Sequence, residues 1–191
     1  MHRVNAPETI VRHSPHCDQR PDGETISVLV IHNISLPPGQ FVQPGATKRP
    51  IDDFFRGELD INAHPFFADI SHLRVSAHCV IWRDGGIWQY VPFEHRAWHA
   101  GVSRFDGREQ CNDFSIGIEL EGTDDLPYTT EQYTSLVSLT RWLMQQYPAI
   151  TLDRIVGHEH IAPERKTDPG PAFDWTMFRA MLRAAIQEST S

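Results

Sequence analysis

The sequence predicts an α/β or α+β fold, a central mixed sheet with helices packed on it. Three observations carry this. The β-branched run Ile26-Ser-Val-Leu-Val-Ile-His32 has the composition of a buried strand. Ala77-His-Cys-Val-Ile-Trp82 and Ile87-Trp-Gln-Tyr-Val91 flank Asp84-Gly-Gly86, the pattern of a hairpin. Apolar stripes at helical spacing lie further along the chain, so strands pair as hairpins and also alternate with helices.

Taken in order, residues 1–25 are polar and turn-rich, with His13, His16 and Pro21-Asp-Gly. After the first strand, Pro37-Pro-Gly-Gln-Phe-Val-Gln-Pro-Gly45 and on to Pro50 predicts a long loop, and such loops in compact domains tend to be functional. Phe66, Phe67, Ile70 and Leu73 predict a short helix over about 63–73. Ser115-Ile-Gly-Ile-Glu-Leu-Glu121 alternates cleanly: Ile116, Ile118 and Leu120 face one way, Ser115, Gly117, Glu119 and Glu121 the other. Thr129-Thr-Glu-Gln132 offers a capping box. Tyr133, Leu136, Val137, Thr140, Leu143 and Tyr147 then trace one stripe of a long helix stopped by Pro148. A last helix starts near Asp174, with Trp175, Phe178, Leu182, Ala185 and Ile186 inward. No repeat divides the chain, so one domain is expected over 1–191.

Composition narrows the function. The chain has 191 residues, 40% of them hydrophobic, enough core for one domain. Lys plus Arg number 17 against 25 Asp plus Glu, a formal charge of −8, which argues against a nucleic-acid partner. No apolar run approaches the roughly 18 residues that span a bilayer, and Met1-His-Arg-Val-Asn-Ala-Pro7 has no apolar leader core. Neither a membrane nor export is therefore expected. Cys17, Cys79 and Cys111 are odd in number and far apart, as suits ordinary thiols in a reducing cytoplasm. With 11 His and three Cys, any metal site would be built from His and carboxylates.

Three places carry reactive side chains at the sheet's edges. His32 closes the buried strand, where open sheets bind ligands; alone it reads equally as a hydrogen-bonded strand-end histidine. Gly157-His-Glu-His-Ile-Ala-Pro-Glu-Arg-Lys-Thr-Asp-Pro-Gly-Pro171 is too rich in Pro and Gly for a helix. In extended backbone Lys166 and Asp168 would project to one side; alone they read as a solvated charged loop. His160, two residues from His158, is the nearest rival ligand and is expected on the opposite face. Glu119 and Glu121 share one strand face, and periodicity does not choose between them; singly, each reads as an exposed carboxylate. Together these places supply two His, one Asp, a free carboxylate and a lysine, and two neutral imidazoles with one carboxylate form a three-ligand zinc site with an open fourth position. Water bound there is acidified toward pKa ~7 and becomes the nucleophile. A nearby Glu can move its proton to a leaving amine, and Lys166 can stabilise a developing oxyanion. That is equipment for hydrolysing an amide or ester. No Gly-rich phosphate loop, Gly-x-Ser-x-Gly elbow or Cys nucleophile competes with it.

Five blocks carry a resemblance: Val30-Ile-His-Asn-Ile-Ser-Leu-Pro-Pro-Gly39, Leu73-Arg-Val-Ser-Ala-His78, Arg96-Ala-Trp-His-Ala-Gly-Val-Ser103, Cys111-Asn-Asp-Phe-Ser-Ile-Gly-Ile-Glu-Leu-Glu-Gly-Thr123 and Arg165-Lys-Thr-Asp-Pro-Gly-Pro-Ala-Phe-Asp-Trp175. They resemble the zinc-dependent N-acetylmuramoyl-L-alanine amidase family, which includes phage lysozyme-type amidases and peptidoglycan-recognition proteins. The resemblance runs from about Ser14 to Arg183. It implies zinc ligands His32, His158 and Asp168, and an acidic catalytic residue at Glu119 rather than Glu121, with Lys166 as the family's lysine. The bond implied is the amide joining the lactyl group of N-acetylmuramic acid to L-alanine. The implied substrate is a small, soluble 1,6-anhydro-muropeptide, cleaved by a monomer during cytoplasmic peptidoglycan recycling. Around such a substrate, Trp98 could stack on the sugar, Arg74 could grip a carboxylate in bidentate fashion, Asn33 could bind an amide, and His99 could line the cleft. Gln110 departs from the family pattern, which places a basic residue before Cys-Asn-Asp. Two rival functions are a binding module without catalysis, as some peptidoglycan-recognition proteins are, and a lytic amidase of polymeric wall. The full ligand set argues against the first, and the lack of a leader or wall-binding module against the second.

Overall fold

The computed structural model describes residues 6–43 and 45–188. The start of the chain, expected to carry no leader, and the outer limits of the expected 1–191 domain lie partly outside the described residues. Two short strands, β1 (Ile10–Val11) and β2 (Cys17–Gln19), precede the long strand β3 (Val28–Ile34). Helices α1 (Pro50–Arg56) and α2 (Pro65–Ile70) lead to the hairpin of β4 (Cys79–Ile81) and β5 (Ile87–Gln89). The short strands β6 (His95–Ala97), β7 (Arg104–Phe105) and β8 (Arg108–Glu109) follow, then β9 (Ser115–Glu121). Beyond them come α3 (Thr130–Gln146), β10 (Ile155–Gly157), the single turn α4 (His158–Ile161) and α5 (Trp175–Glu188).

The sheet is mixed, as the patterning predicts, with strand order β1-β5-β4-β9-β3-β10. The β4–β5 pair is antiparallel, while β9 runs parallel to both β3 and β4 and β10 runs parallel to β3. Leu29, Ile31, Ile116, Ile118 and Leu120 pack against Leu136 and Leu143 of α3 and Phe178 and Leu182 of α5. On the other face Val80 and Trp82 meet Ile51, Phe54 and Phe55 of α1 and Phe67 of α2, while Val28 and Val30 meet Cys111, Phe114 and Ile161. Strand alternation therefore sets Ser115, Gly117 and Glu119 on the face away from α3 and α5. The predicted capping box of α3 is present: Thr129 Oγ1 accepts from the Gln132 N–H at 3.1 Å, and Gln132 Oε1 accepts from the Thr129 N–H at 3.1 Å.

Three departures from the sequence expectation have local causes. The predicted loop ends earlier, because Pro50 opens α1 as its first helical residue, where its fixed φ fits and its missing N–H costs nothing. Ile51, Phe54 and Phe55 supply that helix's buried stripe. Strand β10 has only three residues, too few to show a period. The segment expected to be non-helical starts with one turn, α4, before Pro163 ends it. Among the described residues no helix is long and apolar enough to cross a membrane.

Glu121 is buried at the end of β9 and has a structural task. Its Oε1 accepts from the Val42 N–H at 2.7 Å and its Oε2 from the Arg83 N–H at 3.2 Å, tying the proline-rich segment to the sheet. Glu121→Ala leaves both amides without their acceptor and is expected to cost about 1–3 kcal/mol. Urea unfolding measures this, and an unchanged midpoint would contradict the role.

Candidate active site

The parallel register gathers the reactive side chains at one end of the sheet. His32 on β3 lies directly beside Glu119 on β9. Gly157, the last residue of β10, pairs with Ile31, so His158 at the start of α4 arrives next to His32. The loop after α4 returns Lys166 and Asp168 to the same place. All five line one cavity with Asn33 and His99, and its apolar wall is formed by Phe54, Phe66, Ile70 and Trp98.

His32 Nδ1 stands 3.0 Å from His158 Nδ1 and 3.0 Å from Asp168 Oδ2, and His158 Nδ1 stands 3.1 Å from the same oxygen. The opposite ring nitrogens decide what these atoms carry. His158 Nε2 lies 3.1 Å from the Ala100 carbonyl, which can only accept, so Nε2 holds the proton. Ser115 Oγ donates to the Cys111 carbonyl and therefore accepts from His99 Nε2, 3.2 Å away. That leaves a lone pair on His99 Nδ1, which accepts from His32 Nε2–H at 2.9 Å. Burial holds the His32 imidazole neutral, with its pKa down to about 4. With Nε2 carrying the ring proton, an imidazole leaves its Nδ1 bare, and the two Nδ1 atoms meet a carboxylate oxygen. Three lone pairs at this separation repel one another unless a cation sits among them. Two imidazoles and one carboxylate are a zinc donor set, so the residues fit that ion. Both imidazoles also have the carbonyl or side-chain partner on the far nitrogen that orients metal ligands.

Glu119 is held differently from Glu121. Burial pushes its carboxyl well above the ordinary carboxylate range, the charge of Asp168 adds to this, and Lys166 opposes it. Its Oε2 is buried with no hydrogen-bond partner among the described residues. A carboxyl that can hold a proton, beside a three-donor metal pocket and an ammonium, can move protons in a hydrolysis.

The other expected residues divide. Trp98 lines the cavity with Nε1 donating to Asp18 Oδ1 at 3.1 Å. Asn33 lines it too, but its Nδ2 is engaged by Asp124 Oδ1, Tyr128 Oη and the Pro169 carbonyl at 2.8, 3.0 and 3.2 Å. Its tie to Pro169 steadies the loop that carries Asp168. Arg74 is exposed and donates to the Ser71 and Leu73 carbonyls at 2.9 and 3.1 Å, outside the cavity lining. Gln110 is exposed with a left-handed φ of 60°. His160 is turned away: its Nδ1 accepts from the Gly157 N–H at 2.8 Å. Alternation in extended backbone would set residues two apart on the same side; it is the helical turn observed, in which two residues stand about 200° apart, that separates the rings.

Two supports were not legible in the sequence. The Ala100 carbonyl is a backbone atom, and no residue type announces it. His99 as the partner of His32 had one signal, Gly117. A Cβ there would sit 2.4 Å from the His99 ring, so only glycine lets the ring lie on the strand. Gly170 closes the Asp168 loop in the same way, with φ +78° and Asp124 Cα where a Cβ would be.

The family described as N-acetylmuramoyl-L-alanine amidase matches residues 22–171. A 1,6-anhydro-N-acetylmuramyl-L-alanine amidase AmpD from Salmonella typhimurium (strain SL1344) is 64% identical over 169 residues, 88% of this chain and 87% of that one. A crystal structure of a selenomethionine AmpD derivative superposes with a TM-score of 0.86 at 59% identity, covering 95% of this chain and 98% of that one. The amidase AmiD from Escherichia coli, solved with the substrate anhydro-N-acetylmuramic acid-L-Ala-D-γ-Glu-L-Lys, superposes at 0.59 with 29% identity, covering 85% of this chain and 60% of that one.

Proposed function

We propose, since the chain belongs to the N-acetylmuramoyl-L-alanine amidase family, that it cleaves soluble 1,6-anhydro-muropeptides at the lactyl–L-alanine amide, in cytoplasmic peptidoglycan recycling. The observation that supports the zinc-dependent form of this reading is the convergence of three donors, on His32, His158 and Asp168, beside Glu119, whose Oε2 is buried without a partner among the described residues. The substrate preference is supported by the 64% identity to an amidase named for the anhydro form. Every residue invoked comes from one chain, so a monomer suffices, with 1–191 acting as one amidase domain.

Zinc, when bound, supplies a Lewis acid that lowers the pKa of water to ~7 at neutral pH. The protein's own groups do the rest. Glu119 takes the proton of the attacking water as the carbon–oxygen bond forms. It then delivers that proton to the L-alanine nitrogen as the carbon–nitrogen bond breaks, so the products are a free carboxyl on the lactyl group and a free amine. Lys166 balances the negative charge that develops on the carbonyl oxygen. Trp98 offers a flat apolar surface to the sugar, Asn33 keeps its amide oxygen for the substrate, and Arg74 reaches a peptide carboxylate from the rim. The apolar wall limits water around the reacting amide.

Mass spectrometry of products from an anhydro-muropeptide and from intact sacculi tests this directly. The expected result is an L-alanine-terminated peptide from the soluble substrate and little or none from the sacculi. Equal release from sacculi would contradict the soluble substrate class, and no cleavage of either would contradict the enzyme.

A further inference from the structure

The acceptors behind the two histidines, His99 Nδ1 and the Ala100 carbonyl, belong to consecutive residues, and one side chain holds both. Asn112 Oδ1 accepts from the His99 N–H at 3.1 Å and from the Ala100 N–H at 2.8 Å. Asn112 sits in the short 3-10 turn Cys111–Asp113 that leads into β9. That turn is itself fixed: Arg20 Nη1 donates to the Asn112 and Asp113 carbonyls at 3.0 and 2.8 Å, and Ser103 Oγ accepts from the Cys111 N–H at 3.2 Å. Arg165 Nη2 adds a second donor, at 2.7 Å, to the Ala100 carbonyl that receives His158 Nε2–H.

We infer that Asn112 is a positioning residue for the metal pocket. It touches none of the three donors and does not itself line the cavity, yet it sets where both outer acceptors stand. His99 Nδ1 and the Ala100 carbonyl select the Nε2–H tautomer of His32 and His158 respectively, and so aim both Nδ1 lone pairs at one point. Without the clamp, segment 98–100 loses a shared acceptor for two adjacent amides, and both rings lose a fixed partner together. The inference rests on the zinc reading above.

The test is metal affinity of the full chain, read by chelator competition with zinc, together with the visible spectrum of the cobalt-loaded protein. Asn112→Ala is expected to weaken zinc binding about 10- to 100-fold, the usual cost of losing an outer-shell partner, and to alter the cobalt absorption bands. Asn112→Asp keeps an oxygen for both amides and is expected to restore affinity and spectrum. Should the alanine variant not fold, Asn112→Ser, whose hydroxyl is too short to bridge both amides, is expected to show the same weakening. Affinity and spectrum unchanged in the alanine or serine variant would overturn the inference, as would an equal loss in the aspartate variant. Failure of the unaltered chain to bind zinc or cobalt would overturn the metal reading and this inference with it.

Discussion

Asp168→Ala is expected to bring zinc content from about one per chain to near zero and to reduce amide cleavage to background. Asp168 is the one anionic member of the donor set, and its Oδ2 lies 3.0 and 3.1 Å from the two imidazole nitrogens. Without it, two neutral imidazoles remain, too few for the three-ligand site that leaves one position open for chemistry. The loss should exceed the about 10- to 100-fold cost of removing an outer-shell partner, because a direct ligand is gone. The loop itself should survive, since the Asp168 carbonyl, which accepts from the Glu159 N–H at 3.0 Å, is untouched by the substitution. Elemental analysis of the purified variant, paired with its circular dichroism spectrum, separates metal loss from unfolding. A folded variant with full zinc and full rate would remove Asp168 from the ligand set.

Glu119→Gln is expected to keep zinc and lose about 10²–10⁴-fold in rate. Glutamine preserves size and packing at this half-buried position but cannot take up a proton. Burial is the main reason the Glu119 carboxyl sits well above its ordinary range, which suits a group that must accept a proton and then release it. The contrast with Glu121→Ala is informative because the two residues share a strand and a face. The first change should act on turnover at constant stability, the second on stability. Turnover by Glu119→Gln at the unaltered rate would take Glu119 out of the mechanism.

Periodicity revealed the parts of the fold that are long and buried on one face. The alternation of 115–121 and the stripe of 130–146 match the observed strand and helix. It failed where an element is short or its composition misleads. Prolines around 37–50 concealed α1, and three residues of β10 carried no period. For the site, a strand-end histidine and a rigid charged loop were each visible. Their meeting was not, because His32 and His158 are 126 residues apart and only the sheet order, with β10 beside β3, joins them. The resemblance to known amidases named that meeting before any geometry did. The choice between Glu119 and Glu121 shows where pattern runs out. Both fit the strand period; the resemblance chose Glu119, and the register sets Glu119, not Glu121, opposite His32. Charge adds one more constraint. A chain of formal charge −8 gains no long-range attraction for an acidic muropeptide, so under the proposed function recognition would rest on local groups such as Lys166 and on the metal.

The central claim is that the His32, His158 and Asp168 pocket drives amide cleavage through zinc. Its most direct measurement is the rate of L-alanine-peptide release from an anhydro-muropeptide by the native protein, by the protein stripped with a chelator, and by the stripped protein given back about one zinc per chain. The account predicts full rate, background rate and recovery in that order. Undiminished cleavage by protein shown to be free of metal would contradict it.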